Sequence, residues 1–183
     1  MSVVTIVTGL PRSGTSLMMQ ILEKSSLEIF SDGIRQKDNN NPEGYYELEA
    51  VKGIVKDNSF LKSANGKVLK VVAPLPMFLD KSLSYRVVFI RRDIEEILRS
   101  QEVMLNKDQS AEREKFKAIY ATHIQKTYQF FELNKVPFLD IFYKELINNP
   151  ESELKKIIAF LELQSNWKEL AEVVNPELYR NKV

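Results

Sequence analysis

The sequence predicts an α/β protein in which helices cover both faces of a mostly parallel sheet, a three-layer αβα arrangement. Three observations predict it. Four short runs rich in β-branched and aromatic residues, at 3–8 (VVTIVT), 67–73 (KVLKVVA), 85–90 (YRVVFI) and 137–142 (PFLDIF), have the length and composition of strands. Segments with apolar residues three and four apart lie between them, the spacing of helices with one buried face. The first run passes through a glycine-containing turn directly into such a segment, as a βαβ unit begins.

Taken in order, residues 3–8 read as a buried strand ending at Gly9, followed by a helix with Leu17, Met18, Ile21 and Leu22 on one face. Residues 31–44 (SDGIRQKDNNNPEG) are polar and rich in breakers, so they read as a long loop of the kind that carries function. After Tyr45 and Tyr46, the spacing of Leu48, Val51 and Val55 predicts a helix over 47–62. The strand at 67–73 is halted by Pro74 and Pro76, and the strand at 85–90 runs into Arg91, Arg92 and Asp93. Asp93 and Glu96 have capping-box spacing ahead of Ile94, Ile97, Leu98 and Leu105, so a helix starts there. A longer helix over 111–133 carries Phe116, Ile119, Tyr120, His123, Ile124, Thr127 and Phe131 on one stripe. After the last strand, Asn149 and Pro150 open a helix with Leu154, Ile157, Ile158 and Leu161 inward.

Composition bounds the chemistry. A length of 183 residues fits one domain spanning 1–183. Lys+Arg of 26 against Asp+Glu of 25 leaves a net charge of +1, so no global field suits nucleic acid or an anionic membrane surface, and any anion site must be local. Cysteine is absent and His123 is the single histidine, which removes thiolate and histidine-built metal centres. The N-terminus carries no targeting pattern and no stretch has the apolar length of a membrane span, so a cytoplasmic protein without a membrane partner is expected.

The turn after the first strand, GLPRSGTS, nearly spells a nucleotide-triphosphate loop, G-x-x-x-x-G-K-[ST], but Thr15 stands where the lysine belongs. Arg12 supplies charge from earlier in the turn. The backbone N–H groups of Ser13, Gly14 and Thr15, with the Thr15 and Ser16 hydroxyls, still make an anion cradle at a helix N-terminus. Without the lysine or a metal-binding carboxylate element, the loop suits a single 5′-phosphate held without metal.

These residues resemble the sulfotransferases that use 3′-phosphoadenosine-5′-phosphosulfate (PAPS). GLPRSGTS looks like that family's 5′-phosphosulfate loop, P-[KR]-S-G-T-[ST]. FIRRDIEEILRSQ, residues 89–101, resembles its 3′-phosphate motif, with Arg92 and Ser100 at the matching positions. FYKELINNPESELKKIIAFLEL, residues 142–163, is similar to its YEDL segment and places Tyr143 beside the nucleotide. The resemblance implies a P-loop-like sulfotransferase fold, PAPS as sulfuryl donor with adenosine-3′,5′-bisphosphate as product, and no metal. It also implies that Arg180 and Lys182 in the terminal NPELYRNKV close over the 3′-phosphate. Residue by residue, plainer readings stand beside these: an ion pair of Arg92 with Asp93 or Glu95, a core role for Tyr143, a frayed tail for Arg180.

The base is less direct. Cytosolic members of the family place a histidine in a K-x-H-x-P segment, and the matching KVVAPLP at 70–76 has none. His123 lies mid-helix on an apolar stripe and reads as structural. NNPEGYYELE, residues 40–49, looks like the N-P-x-G-Y-Y-E element of bacterial members and offers Glu43, Glu47 and Glu49, with Tyr45 and Tyr46 as walls of an acceptor pocket. Glu47 is the chosen base, since a carboxylate beside aromatic rings is partly desolvated; a dipole-stabilising Glu47 at a helix start is the alternative. The expected function is sulfuryl transfer to a hydroxyl or amine of a small-molecule or glycan acceptor, with Arg12 stabilising the leaving phosphate. The alternatives are a P-loop kinase and a non-catalytic nucleotide-binding protein of the same fold. The chain is shorter than typical members, which fits either trimmed acceptor loops or a homo-oligomer in which a second subunit completes them.

Overall fold

The computed structural model describes residues 3–38, 41 and 44–179. The strands β1 (Val4–Gly9), β2 (Val68–Lys70), β3 (Tyr85–Arg91) and β4 (Phe138–Phe142) form one sheet in the order β2-β1-β3-β4, every pair parallel. Parallel pairing forces each connection to cross a face of the sheet. The crossings carry α1 (Thr15–Lys24) after β1, α2 (Ile94–Leu105) and α3 (Arg113–Leu133) after β3, then α4 (Tyr143–Asn148), α5 (Pro150–Leu161) and α6 (Trp167–Ala171) after β4.

Strand alternation sorts the core into two halves. Val4 and Ile6 of β1 join Val87 and Phe89 of β3 under α3, whose Phe131 is fully buried and whose Tyr128 ring stacks on Phe89 at 4.8 Å. Val7 joins Val88 and Ile90 on the opposite face, closed by Met18 and Leu22 of α1, Leu146 of α4 and Leu154 and Ile157 of α5. Each such side chain stabilises the fold by about 1.5–3 kcal/mol relative to exposure. This is the three-layer α/β architecture the sequence predicts. A smaller cluster of Leu10, Ala73, Ile97, Leu98 and Tyr120 packs where α2 and α3 meet the carboxyl ends of the strands.

The helix expected over 47–62 is absent. Two short 3₁₀ turns, Glu49–Gly53 and Ser59–Ala64, occupy the segment, with Glu47 outside any element and Leu48 extended before them. Their buried residues lie three apart, Val51 with Ile54 and Leu61 with Ala64, while Val55 is 58% exposed. That is the period of a 3₁₀ turn, not of an α-helix. The Asp57 carboxylate accepts the Ser59 N–H at 2.9 Å, a local bond that competes with a continuous helix. The strand at 67–73 pairs regularly over three residues, but the Val71 and Ala73 N–H groups still donate to the Val7 and Gly9 carbonyls, so the chain runs extended beside β1 to its end. Asp93 caps α2 by accepting the Glu95 and Glu96 N–H groups at 2.7 and 3.3 Å. The Glu96 carboxylate, expected to complete the box, is engaged by Arg92 and Tyr179, because a buried guanidinium attracts it more strongly than a backbone donor. Neither α4, which leaves β4 without a side-chain cap, nor the five-residue α6 is foreseen by periodicity.

Candidate active site

The sheet reverses its direction of growth between β1 and β3, and ligands in open α/β sheets bind outside the carboxyl ends of the strands at that point. A cavity of about 360 Å³ lies there. Every strand delivers a side chain to it: Arg12 from the turn after β1, Lys70 as the last residue of β2, Arg92 just past β3, and Tyr143 just past β4.

The turn after β1 is shaped for an anion. Gly14 begins α1 with φ of 105°, and a Cβ on it would lie 2.4 Å from Tyr143 Cδ2, so the turn requires glycine both for its backbone angle and for the ring beside it. Gly14, Thr15, Ser16 and Leu17 line the cavity, and the first N–H groups of α1 have no partner within the helix. Ser13 does not line it. Its N–H donates to the Leu10 carbonyl at 3.1 Å and its side chain is fully buried, which corrects the expectation that this amide faces the ligand: closing the turn takes the donor first.

The two serines of the cavity are oriented by their neighbours. Ser16 Oγ accepts from Asn41 Nδ2 at 3.0 Å and from Lys70 Nζ at 3.1 Å, which fills both of its acceptor positions and leaves its O–H to donate. Ser100 Oγ, on α2 and 3% exposed, accepts from Arg12 Nε at 3.0 Å and likewise retains its O–H. Arg12 and Ser100, predicted at opposite ends of a nucleotide, are thus in direct contact. Burial pushes the Arg12 guanidinium down from its ordinary pKa.

Arg92 is more enclosed than its motif suggests. Its Nε donates to Glu96 Oε2 at 2.9 Å and its Nη1 to the Arg12 carbonyl at 3.1 Å. The guanidinium carbon lies 4.7 Å from the Tyr143 ring centroid and 5.3 Å from that of Tyr179. Arg92 pairs with Glu96 in the first turn of α2, at 2.9 Å, rather than with Asp93, which caps that helix.

Lys70 lines the cavity too, a position that the sequence motifs alone do not single out. It is 6% exposed, and its ammonium is surrounded by Ser16 Oγ, the Tyr45 carbonyl and Glu47 Oε1, the last at 3.8 Å. Burial pushes its pKa down to about 8. The signal was present: in the K-x-H-x-P register Lys70 takes the lysine position and Val72, also lining the cavity, takes that of the histidine.

Glu47 is the single carboxylate among the described lining residues. Arg35 donates to its Oε1 at 2.8 Å, and the Arg35 guanidinium lies 3.5 Å above the Tyr45 ring. The surroundings differ from the aromatic pocket expected for it, since two cations face the carboxylate. Tyr45 does wall the cavity and its hydroxyl binds Asp38 at 2.8 Å, whereas Tyr46 turns away and donates to Glu23 at 2.8 Å. Glu49 pairs with Lys52 on the surface, and His123 sits half-buried 6.3 Å from the Tyr120 ring, neither at the cavity. Glu43, Arg180 and Lys182 lie outside the described residues. Among those described, no group of three or more His, Asp or Glu converges, and no helix is long and apolar enough to cross a membrane.

Comparison with known proteins agrees with this geometry. The family model for the sulfotransferase domain matches residues 4–181. Mouse sulfotransferase SULT7A1, solved with PAP, superposes with a TM-score of 0.62 at 15% identity over 97% of this chain. The sulfotransferase domain from the curacin biosynthetic pathway gives 0.56 at 16% identity, over 96% of this chain and 78% of that domain. Sulfotransferase STF9 from Mycobacterium avium gives 0.54 at 13% identity, over 92% of this chain and 66% of its own. At these identities the superpositions establish the fold, and the chain spans only 64% of the mouse enzyme's length. No curated protein matches the sequence. The match of the family model over nearly the whole length places the chain in the sulfotransferase domain family.

Proposed function

We propose that the chain is a single sulfotransferase domain that moves the sulfuryl group of PAPS to a hydroxyl or amine of a small-molecule or glycan acceptor. The observation that carries this reading is the cluster of cations and hydrogen-bond donors around the start of α1. Arg12, Lys70 and Arg92 are cationic, the start of α1 presents N–H groups, Ser16 has both acceptor positions filled so that only its hydroxyl proton remains to offer, and Ser100, which accepts from Arg12, keeps its O–H. Such a donor set fits a ligand with two phosphate-type anions and no bound cation of its own.

When bound, PAPS supplies the sulfuryl group and a phosphate that gains charge on leaving. Arg12, Ser16 and the first amides of α1 hold the 5′ end, where that charge develops. Ser100 and Arg92 hold the 3′-phosphate, with Tyr143 beside them. Lys70 sets a further positive charge at the α1 N-terminus. Glu47 Oε1 is fixed by Arg35 and Lys70, and Oε2 takes up the acceptor's proton.

The test begins with binding. Adenosine-3′,5′-bisphosphate at 100 times its Kd should stabilise the fold by about 2.7 kcal/mol, a rise in Tm of about 5–10 °C for a chain of this size, without Mg²⁺. Release of the bisphosphate from PAPS in the presence of an acceptor panel then reads turnover. A larger shift from ATP that requires Mg²⁺ would favour a kinase, and a bisphosphate shift with no turnover across the panel would favour a binding protein.

A further inference from the structure

Glu96 and Tyr179 are outside the cavity lining, yet they close around Arg92 from behind. Tyr179 is 5% exposed, its hydroxyl donates to Glu96 Oε1 at 2.5 Å, and Glu96, 4% exposed, accepts Arg92 Nε through Oε2. The rings of Tyr179 and Tyr143 meet edge to face at 5.3 Å and 89°, and Arg92 lies against both. Tyr143 in turn packs on Gly14 at the anion-binding turn, while Arg92 Nη1 holds the Arg12 carbonyl of the same turn.

A planar guanidinium recognises phosphate through the direction of its N–H bonds, so its plane matters as much as its place. Among the described residues, a carboxylate, a carbonyl and two rings act on that plane. A buried ion pair adds little net stability, because desolvation offsets the attraction; what the arrangement does provide is direction. The same contacts index Arg92 against the turn that holds the 5′ end, which fixes the spacing between two anion subsites. Tyr179 belongs to the segment after α6, and its contact with Glu96 ties that segment to α2 across 83 positions of sequence.

We infer that Glu96 and Tyr179 are positioning residues which aim Arg92 at the 3′-phosphate, so that the segment after α6 that carries Tyr179 governs the preference for a 3′-phosphorylated nucleotide. This rests on the nucleotide reading of the cavity given above.

Titration calorimetry on the full chain with adenosine-3′,5′-bisphosphate and adenosine 5′-phosphate tests it, the readout being the ratio of the two dissociation constants. Tyr179→Phe keeps the ring and removes one hydroxyl; the preference for the bisphosphate should fall by about three- to tenfold while the monophosphate binds as before. Glu96→Gln should lower the ratio in the same direction. Tyr85→Phe is the control, since it removes another buried tyrosine hydroxyl, bonded to the Asp80 carbonyl at 2.9 Å at the far end of β3, and should leave the ratio unchanged. A wild-type ratio in Tyr179→Phe, or an equal loss for both ligands, overturns the inference by showing a general packing role. A wild-type protein that binds both nucleotides equally, or neither, overturns the nucleotide reading itself and the inference with it.

Discussion

Lys70 gives the site a dependence on pH whose sign and size follow from its burial. Burial pushes the pKa of its ammonium down to about 8 from the ordinary lysine value of 10.5. Between those values the unfolded chain binds more protons than the folded one, so stability rises with pH across that window. Below pH 8 both states are protonated and the unfavourable burial of the charge is fully felt. The gain amounts to about 1 kcal/mol by pH 9 and between about 2 and 3 kcal/mol by pH 10. Lys70→Met fills a similar volume without a charge and serves as the reference. Urea unfolding of both proteins from pH 7 to 10 isolates Lys70 as the difference between the two stability curves, since other titrating groups are shared. The wild type should gain on the variant as pH rises. Affinity for the anionic bisphosphate should move the opposite way, falling above pH 8 in the wild type as the ammonium loses its proton, and staying flatter in Lys70→Met. A stability difference that does not change between pH 7 and 10 refutes the reasoning, because it would mean the ammonium is solvated in the folded chain.

Three more outcomes follow from the same contacts. Glu47→Gln should leave bisphosphate affinity in place while turnover falls by about 10²–10⁴, whereas Glu49→Gln and His123→Asn, away from the cavity, should turn over normally; full activity in Glu47→Gln would remove it as base. Gly14→Ala should lose more than about 2 kcal/mol through its positive φ and the new contact with Tyr143, a Tm drop of several degrees, and a variant melting with the wild type would show that the ring can move aside. Arg92→Ala should destabilise by about 3–5 kcal/mol by taking this cation from the buried Glu96 carboxylate, and Arg92→Ala with Glu96→Gln should recover part of it; chemical denaturation of the single and double variants decides whether that carboxylate is the cause.

The parts of the fold written in local order were legible. β1, β3 and β4 are rich in β-branched or aromatic residues, and α2, α3 and α5 carry apolar residues at helical spacing, so composition and period sufficed. The segment 47–62 misled because Val51 and Val55 share a helical face as well as Val51 and Ile54 share a 3₁₀ one; what decides between them is which neighbour finds a core, and Ile54 does. α4 was hidden for a related reason. Its residues Leu146 and Ile147 are buried, but it follows β4 without a break or cap, and a six-residue helix held by tertiary packing leaves little trace in sequence.

The site divides along the same line. Arg12, Arg92 and Ser100 could be named because the motifs that carry the family resemblance are local, one in the turn after β1 and one running from the end of β3 into α2. The direction of each hydrogen bond was not available in this way. Ser16 is a donor because Asn41, 25 positions on, and Lys70, 54 positions on, both donate to it. Ser100 is a donor because Arg12, 88 positions back, donates to it. Lys70 itself looks like a stray charge in an apolar run until the sheet places its β2 terminus beside the α1 N-terminus, and there the lack of solvent shifts its titration. Anion binding can therefore be read from spacing, because backbone amides and arginines donate in every environment. Proton transfer depends on which neighbour a carboxylate meets, and for Glu47 those neighbours, Arg35 and Lys70, arrive from 12 and 23 positions away on separate elements. The contacts that would make Glu47 a base are therefore tertiary, and Glu47→Gln is the variant that bears on them most directly.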